Sequence, residues 1–242
     1  MTPEPALPKR LPLSRVRIGR RSMRIHAQAR NALWFGPGSG RQPIHRFDDP
    51  TGRFRVCYLG TTIEVCFAET FLRNPPVRIL ALDDLARRSI ATVEVRRDLR
   101  LVPMHGSNLA RLGVTAELAS GSDYVGSQLW SRALWEHSDK PDGILYRSRH
   151  DDSALCVAVY DRAKDGLVIV RDHSVSEDPQ QLARLLRRYG LGLTNWGPLL
   201  YVYHPDIAAD PGSDHGFAYP SNRTSVKGLH HTGLATAGST SS

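Results

Sequence analysis

Phe54-Arg55-Val56-Cys57-Tyr58-Leu59-Gly60-Thr61-Thr62-Ile63-Glu64-Val65-Cys66-Phe67-Ala68-Glu69-Thr70 is the stretch whose reading decides the fold. Phe54, Val56 and Tyr58 alternate with Arg55, Cys57 and Leu59, the two-residue period of a strand. After Gly60 the period changes. Thr61-Thr62-Ile63-Glu64 reads as a capping box that opens a helix through about residue 73. Asn74-Pro75-Pro76 stops that helix. Glu69 lies on it beside Val65, Ala68 and Leu72, a carboxylate in an apolar flank. Such a placement is costly without a partner or a purpose.

Working outward, residues 78–82 and 90–95 read as strands. A helix over 122–137 carries Leu129, Trp130, Ala133, Leu134 and His137 on one side. Residues 143–147, 154–160 and 166–170 are further strands. Asp178-Pro179 starts a last helix with Leu182, Leu185, Leu186 and Tyr189 inward, and Gly190 ends it. Residues 199–203 read as a closing strand. Several strands follow one another without intervening helices. The pattern predicts an α+β fold, with a mixed, largely antiparallel sheet core and flanking helices.

The chain ends read differently. Residues 1–21 are Pro- and Arg-rich and predict a basic flexible arm. Residues 205–242 are rich in Gly, Ser, Thr and Asp and predict a disordered tail. One domain, 22–204, lies between. The net charge of +8 is concentrated: Lys9, Arg10, Arg15, Arg17, Arg20, Arg21, Arg24 and Arg30 stand against Glu4 alone, leaving the body near neutrality. The arm is thus either a solvated extension or a contact for an acidic partner or RNA.

No apolar run reaches the 18 residues a membrane span needs. The basic N-terminus has no apolar segment after it, so no signal peptide is predicted. Cys57, Cys66 and Cys156 lack CxxC spacing, which argues against a disulfide framework or a zinc site and for a reducing cytoplasm. Gly36-Pro37-Gly38-Ser39-Gly40 fails as a dinucleotide loop, because Arg41 and Pro43 follow and no helix opens. GxxxxGK[ST], HExxH and GxSxG are absent. His230-His231 is too isolated to suggest a metal site. Basic and aromatic residues are not interleaved as on a nucleic-acid platform.

The order of several short pieces carries more. Arg24-Ile25-His26 is followed by Arg46-Phe47-Asp48, Gly52, Phe54, Tyr58-Leu59-Gly60 and Phe67-Ala68-Glu69-Thr70. Downstream come Tyr124, Gln128, Trp130 and Asp142-Gly143-Ile144-Leu145-Tyr146-Arg147-Ser148-Arg149. This series, spread over residues 22–170, resembles the RES domain. The resemblance implies a branch of the ADP-ribosyltransferase fold and a toxin that degrades NAD by hydrolysis or phosphorolysis. NAD would be the substrate, with inorganic phosphate as a candidate co-substrate and with neither cofactor nor metal. It implies an Xre-type antitoxin partner that covers the active site, nucleic acid being met only through that antitoxin. It leaves a homodimer open.

The resemblance also places roles on residues. Residue chemistry alone leaves Glu69 open between catalysis and an exposed pair with Arg73 worth about 0.3–0.5 kcal/mol. The resemblance makes it the catalytic carboxylate, binding the nicotinamide-ribose hydroxyls as an oxocarbenium ion forms. Arg46 could pair with Asp48 or Asp49 in a turn; the resemblance makes it a clamp on pyrophosphate, which a guanidinium fork fits. Arg24 is a second phosphate ligand. Tyr58 is either a core tyrosine or a ring against nicotinamide or ribose. Ser148 is either a strand-end cap or a hydrogen-bond partner of the ribose or carboxamide. Gln128 and Trp130 read as packing, and His26 as a weak candidate. Asp48 conflicts with a phosphate site unless it faces away. Two other functions stay open: ADP-ribosyl transfer to a macromolecule, and a non-enzymatic binding module that uses the basic arm.

Overall fold

A computed structural model describes residues 5–37 and 40–195. Ten strands lie in it: β1 (Ser14–Val16), β2 (Arg21–Ala27), β3 (Val56–Gly60), β4 (Ile79–Ala81), β5 (Arg88–Val95), β6 (Leu99–Met104), β7 (Gly143–Arg147), β8 (Leu155–Tyr160), β9 (Leu167–Ser174) and β10 (Gly192–Thr194). The helices are α1 (Ile63–Phe71), α2 (Leu82–Ala86), α3 (Asn108–Leu112), α4 (Glu117–Ser120), α5 (Tyr124–Glu136) and α6 (Pro179–Tyr189). Eight strands form one sheet in the order β1-β6-β7-β8-β3-β2-β5-β9. Every neighbouring pair in it is antiparallel except β6 with β7. The mixed, largely antiparallel sheet read from the sequence is therefore the fold. β10 and β4 make a small parallel pair beside it.

The strand β3 and the helix α1 form where the sequence places them. Val56 and Tyr58 contribute to one apolar cluster, with Phe47, Tyr146 and Tyr160, while Cys57 and Leu59 contribute to another, with Val93, Leu101 and Val159. The sheet is thus covered on both faces. The helix cap sits one residue later than the capping box suggests: the Thr62 hydroxyl accepts from Val65 N–H. Gly60 lets the helix start this close. A Cβ there would lie 2.5 Å from Cys66 Sγ and 2.6 Å from Val65 Cγ1.

β2 and β3 share a single register pair, Met23 with Gly60. β7 and β8 by contrast run close together, since a Cβ on Gly143 would fall 2.2 Å from the Ala158 carbonyl oxygen. Asp142, beside that glycine, is a staple: Arg97 donates both Nη atoms to it, at 3.1 and 2.8 Å, and Arg100 N–H donates at 2.8 Å.

The N-terminal segment departs from the expected flexible arm over 1–21. Ser14–Val16 pair with Leu101–Leu99 of β6, and Leu11 is buried. Leu11 N–H donates to Asp139 at 2.8 Å, His137 Nε2 lies 3.1 Å from the Pro8 carbonyl, and Arg15 pairs with Asp98 at 2.7 Å. Leu7 and Leu11 find an apolar cluster to enter, which outweighs the polarity of their neighbours. β6, which lies between β1 and β7, contains Pro103. That proline lies past the reach of β1, on a strand that is an edge there, where a proline costs no ladder bond. The expected strand over 199–203 and tail over 205–242 lie outside the described residues. No described helix is long and apolar enough to cross a membrane.

Candidate active site

The turn over 44–49 is pinned from several sides. One oxygen of Asp48 accepts Ile44 N–H at 3.0 Å and His45 N–H at 2.8 Å. The other accepts the Tyr58 hydroxyl at 3.0 Å, and that hydroxyl accepts Phe47 N–H at 2.9 Å. The Phe47 carbonyl takes Ser131 Oγ at 2.7 Å, and the His45 carbonyl takes Gln128 Nε2 at 3.1 Å. Phe47 itself is fully buried, edge-on to Tyr146. Asp48 is therefore a plug of backbone and phenol donors, and the Arg46 Nη atoms make no hydrogen bond to it. Burial pushes its carboxyl above the usual range, against the pull of those three donors. Tyr58 is half-buried. Burial, then the neighbouring Asp48, push its phenol well above the ordinary value, so it is a neutral donor.

Arg46 stands in the middle of this turn with its backbone fixed on both sides. It is only 7% exposed, its Nη1 and Nη2 atoms are buried, and neither has a hydrogen-bond partner. Its Cζ lies 4.7 Å above the Tyr124 ring. Burial lowers its pKa, with Tyr124, Tyr146 and Glu69 opposing and Arg149 assisting. A buried charged group without a partner costs about 1–3 kcal/mol or more. Neither Asp48 nor Asp49 relieves it: Asp49 serves Thr51 and the Arg53 amide.

Glu69 faces the same region from α1. Its Oε1 accepts the Ser148 hydroxyl at 2.7 Å, and the Cys156 thiol lies 4.0 Å from the same oxygen. The pair with Arg73 takes a different form from the one the spacing suggests: Arg73 Nε donates to the Glu69 main-chain carbonyl at 2.9 Å. Ser148, almost fully buried at the end of β7, also accepts the amides of His150 at 3.1 Å and Asp151 at 3.0 Å. Its one proton is spent on Glu69, so it addresses a ligand through that carboxylate.

Arg24 projects from β2. Its Nη1 donates to the Trp34 carbonyl at 2.8 Å and to Cys57 Sγ at 2.9 Å. Around it sits an aromatic chain that the sequence reading missed. His45 is edge-on to Tyr58 at 5.2 Å and to Trp34 at 6.3 Å between ring centroids. Burial, then Arg73, Arg24 and Arg30, push the His45 imidazole down to about 3. His150 is also held below its ordinary value, first by burial, then by Arg149, Arg73 and Arg46, against Glu69. Arg24, Arg30 and Arg73 thus bear on His45, and Arg46, Arg73 and Arg149 on His150, where Glu69 is the opposing carboxylate. The signal for His45 was available as the neighbour of Arg46, and for His150 as the residue closing the Ser148 stretch. His26, by contrast, serves the sheet: its ring spans the Ala27 carbonyl and Asp172. The described residues contain no group of three His, Cys, Asp or Glu side chains that could hold a metal.

Residues 17–183 match the profile of the RES domain, more than half of the chain. The chain belongs to the RES-domain family. Arg24, Arg46, Tyr58, Glu69 and Ser148 all lie within the matched residues. This RES-domain chain is similar to a protein named "Probable toxin y4kH" of Sinorhizobium fredii (strain NBRC 101917 / NGR234): 30% identical over 112 residues, 46% of this chain and 87% of that protein. Its fold is similar to that of a chain in the "Crystal structure of the M.tuberculosis MbcT-MbcA toxin-antitoxin complex", with a TM-score of 0.54 over 72% of this chain and 92% of that one. At 20% identity that likeness is one of fold.

Proposed function

We propose that this RES-domain protein is the toxin of a type II toxin–antitoxin pair and that it depletes NAD by cleaving the nicotinamide–ribose bond. The observation that carries the chemistry is Arg46: a buried guanidinium with both terminal nitrogens unpartnered, with Arg149 and the Glu69 carboxylate among the charges that bear on it. Such a site favours a ligand bearing phosphates beside a centre that becomes cationic, and NAD has both. The relative named as a probable toxin and the fold shared with a chain from a toxin–antitoxin complex support the biological role.

Arg46 would take the pyrophosphate bidentately, with Arg24 as the second phosphate ligand. Tyr58 would set its ring against the nicotinamide–ribose unit, its hydroxyl held on Asp48. Glu69 would accept the ribose hydroxyls, bonds that strengthen as the ring flattens toward an oxocarbenium ion. Ser148 would orient Glu69. Water or inorganic phosphate then captures the cation. The protein would act in the cytoplasm, held in check by an Xre-type antitoxin over the site. A macromolecular acceptor would make the same chemistry an ADP-ribosyl transfer, seen as label from NAD passing onto lysate protein or nucleic acid.

The test is NAD consumption by the purified chain beside Glu69→Gln. The variant is expected to lose about 10²–10³ in turnover. A folded Glu69→Gln protein that turns over like the parent would remove Glu69 from the mechanism.

A further inference from the structure

The N-terminal segment is built into the edge of the sheet, and arginines from distant parts of the chain gather along it. β1 sets Arg15 directly opposite Arg100 of β6, while Val16, opposite Leu99, turns into the apolar cluster on the other side. A turn at Gly19, whose φ is 81°, then leads to β2. Arg20 N–H donates to the Arg17 carbonyl at 3.1 Å, and Gly19 N–H donates to the Val95 carbonyl at 2.8 Å. The second bond brings the turn against the end of β5, where Arg96 follows.

Arg15, Arg17, Arg20, Arg21, Arg96 and Arg100 are all exposed. The carboxylates that meet them are Glu94 and Asp98. Glu94 is shared by Arg21 and Arg96, each at 3.3 Å. Asp98 takes Arg15 at 2.7 Å and the Ile18 amide at 2.8 Å. Arg100 reaches the main-chain carbonyls of Asp139 at 2.8 Å and Lys140 at 3.2 Å. Arg17 and Arg20 have no carboxylate partner among the described residues.

We infer that this arginine strip is a second binding surface and that it holds the phosphate backbone of double-stranded DNA without reading its sequence. A direct contact of this kind goes beyond the NAD-cleaving reading and does not depend on it. Like charges directly opposite on paired strands destabilise the pair, as Arg15 and Arg100 do here, and a polyanion offsets that cost. Guanidinium forks fit phosphate oxygens bidentately. Residues 13–21 and 94–100 contain no aromatic side chain on which an unpaired base could stack. Ser14 is the one uncharged hydrogen-bonding side chain among them, so the 2′-hydroxyls that mark RNA find little to meet. Leu13 and Ile18 are the exposed large apolar side chains there, too few for the apolar centre of a protein–protein interface.

The strip stands apart from the Ser148–Glu69 pair. Arg100 lies level with Asp142, before β7 begins, and Ser148 follows the end of β7. Arg100 and Ser148 are therefore at opposite ends of that strand, about 20 Å apart at the rise of extended chain.

The experiment titrates a short fluorescein-labelled DNA duplex of arbitrary sequence with the full chain and follows anisotropy at several salt concentrations. The dissociation constant is expected on the order of 10⁻⁵ M near physiological salt. Log K is expected to fall with log salt at a slope of about −3 to −4, since the arginines left unmatched by Glu94 and Asp98 each release close to one counterion. Arg17→Glu/Arg20→Glu, in an exposed turn, is expected to keep the parental Tm, weaken binding by roughly 10-fold or more, and shrink the slope by about two. Arg17→Ser/Arg20→Ser gives the same reading with a smaller loss if the glutamates unsettle the turn. Arg171→Glu/Arg184→Glu makes the same change in net charge on β9 and α6 and is expected to bind nearly as the parent does. Binding that is absent or indifferent to salt, or an equal loss in the strip and control variants, would overturn the inference. So would tighter binding to the single strand or to an RNA duplex of the same sequence. Tighter binding to phosphatidylserine vesicles, or displacement of the duplex by polyglutamate at equal charge, would overturn it in favour of a lipid surface or an acidic protein.

Discussion

Ser148 and Glu69 are 79 residues apart in the chain and 2.7 Å apart in the fold, with the serine as donor. The serine oxygen also collects two amides of the following turn. One hydroxyl therefore ties the helix that carries the carboxylate to the end of β7. Ser148→Ala removes a bond to a charged acceptor worth about 1.5–3 kcal/mol and leaves two amides without their acceptor. We expect kcat for NAD to fall roughly 10–100-fold while KM changes little, together with a lowered Tm. Steady-state kinetics beside thermal unfolding would check this, and a fully active Ser148→Ala would show that Glu69 needs no such support.

Arg46 sets stability against binding. Arg46→Met removes a buried, unpartnered cation and keeps most of its volume over Tyr124. Without ligand the variant should melt at or above the parent's Tm, because no buried charge remains to be compensated. NAD affinity should fall on the order of 30-fold or more, the equivalent of about 2 kcal/mol from a lost charged contact. Arg46→Lys should not restore it, since an ammonium lacks the planar fork. Calorimetric titration and thermal melts of the two variants decide the matter; a sharply lowered Tm for Arg46→Met would mean the arginine serves the apo fold.

His45 predicts an acid-side dependence. The folded protein keeps this imidazole neutral down to about pH 3, against an ordinary value of 6.5. Between those values the unfolded chain binds the proton and the folded one does not. The stability held by the neutral ring is therefore complete above pH 6.5 and is lost as the pH falls toward 3. Urea unfolding at several pH values should show a steeper acid decline for the parent than for His45→Gln. Parallel curves would mean that another group governs the acid side.

Local signals explain what the sequence made legible. The alternation of β3, the Asp178 and Gly190 ends of α6, and the boundaries of β7 depend on neighbours a few residues away, and they stand where the pattern puts them. β1 and β2 are hidden because Arg15, Arg17, Arg20, Arg21 and Arg24 make the whole segment look like a polar arm. Ile25 is buried and Met23 partly buried in a cluster with Ile90 of β5 and Ile63, Cys66 and Phe67 of α1, and Leu11 is buried in a cluster with Trp130 and Leu134 of α5, all distant in sequence. The site divides in the same way. Arg46, Tyr58 and Glu69 can be named one by one from the order of short motifs. That Asp48 accepts the Tyr58 hydroxyl, that Ser148 spends its proton on Glu69, and that arginines from other segments bear on His45 and His150 are facts of chain crossings, which no short window contains.

The two edges of the eight-stranded sheet bear on self-association. On one side β1 covers Leu99–Leu101 of β6, and Pro103 takes over where β1 stops. On the other, β9 presents exposed Arg171 and Asp172, and its register against β5 is broken by a bulge between Thr92 and Val93. Short strands, proline, charge and bulges are the devices that deter a second chain from adding a strand. Both edges of the described sheet thus carry features that disfavour its extension by a second chain and with it cross-β growth.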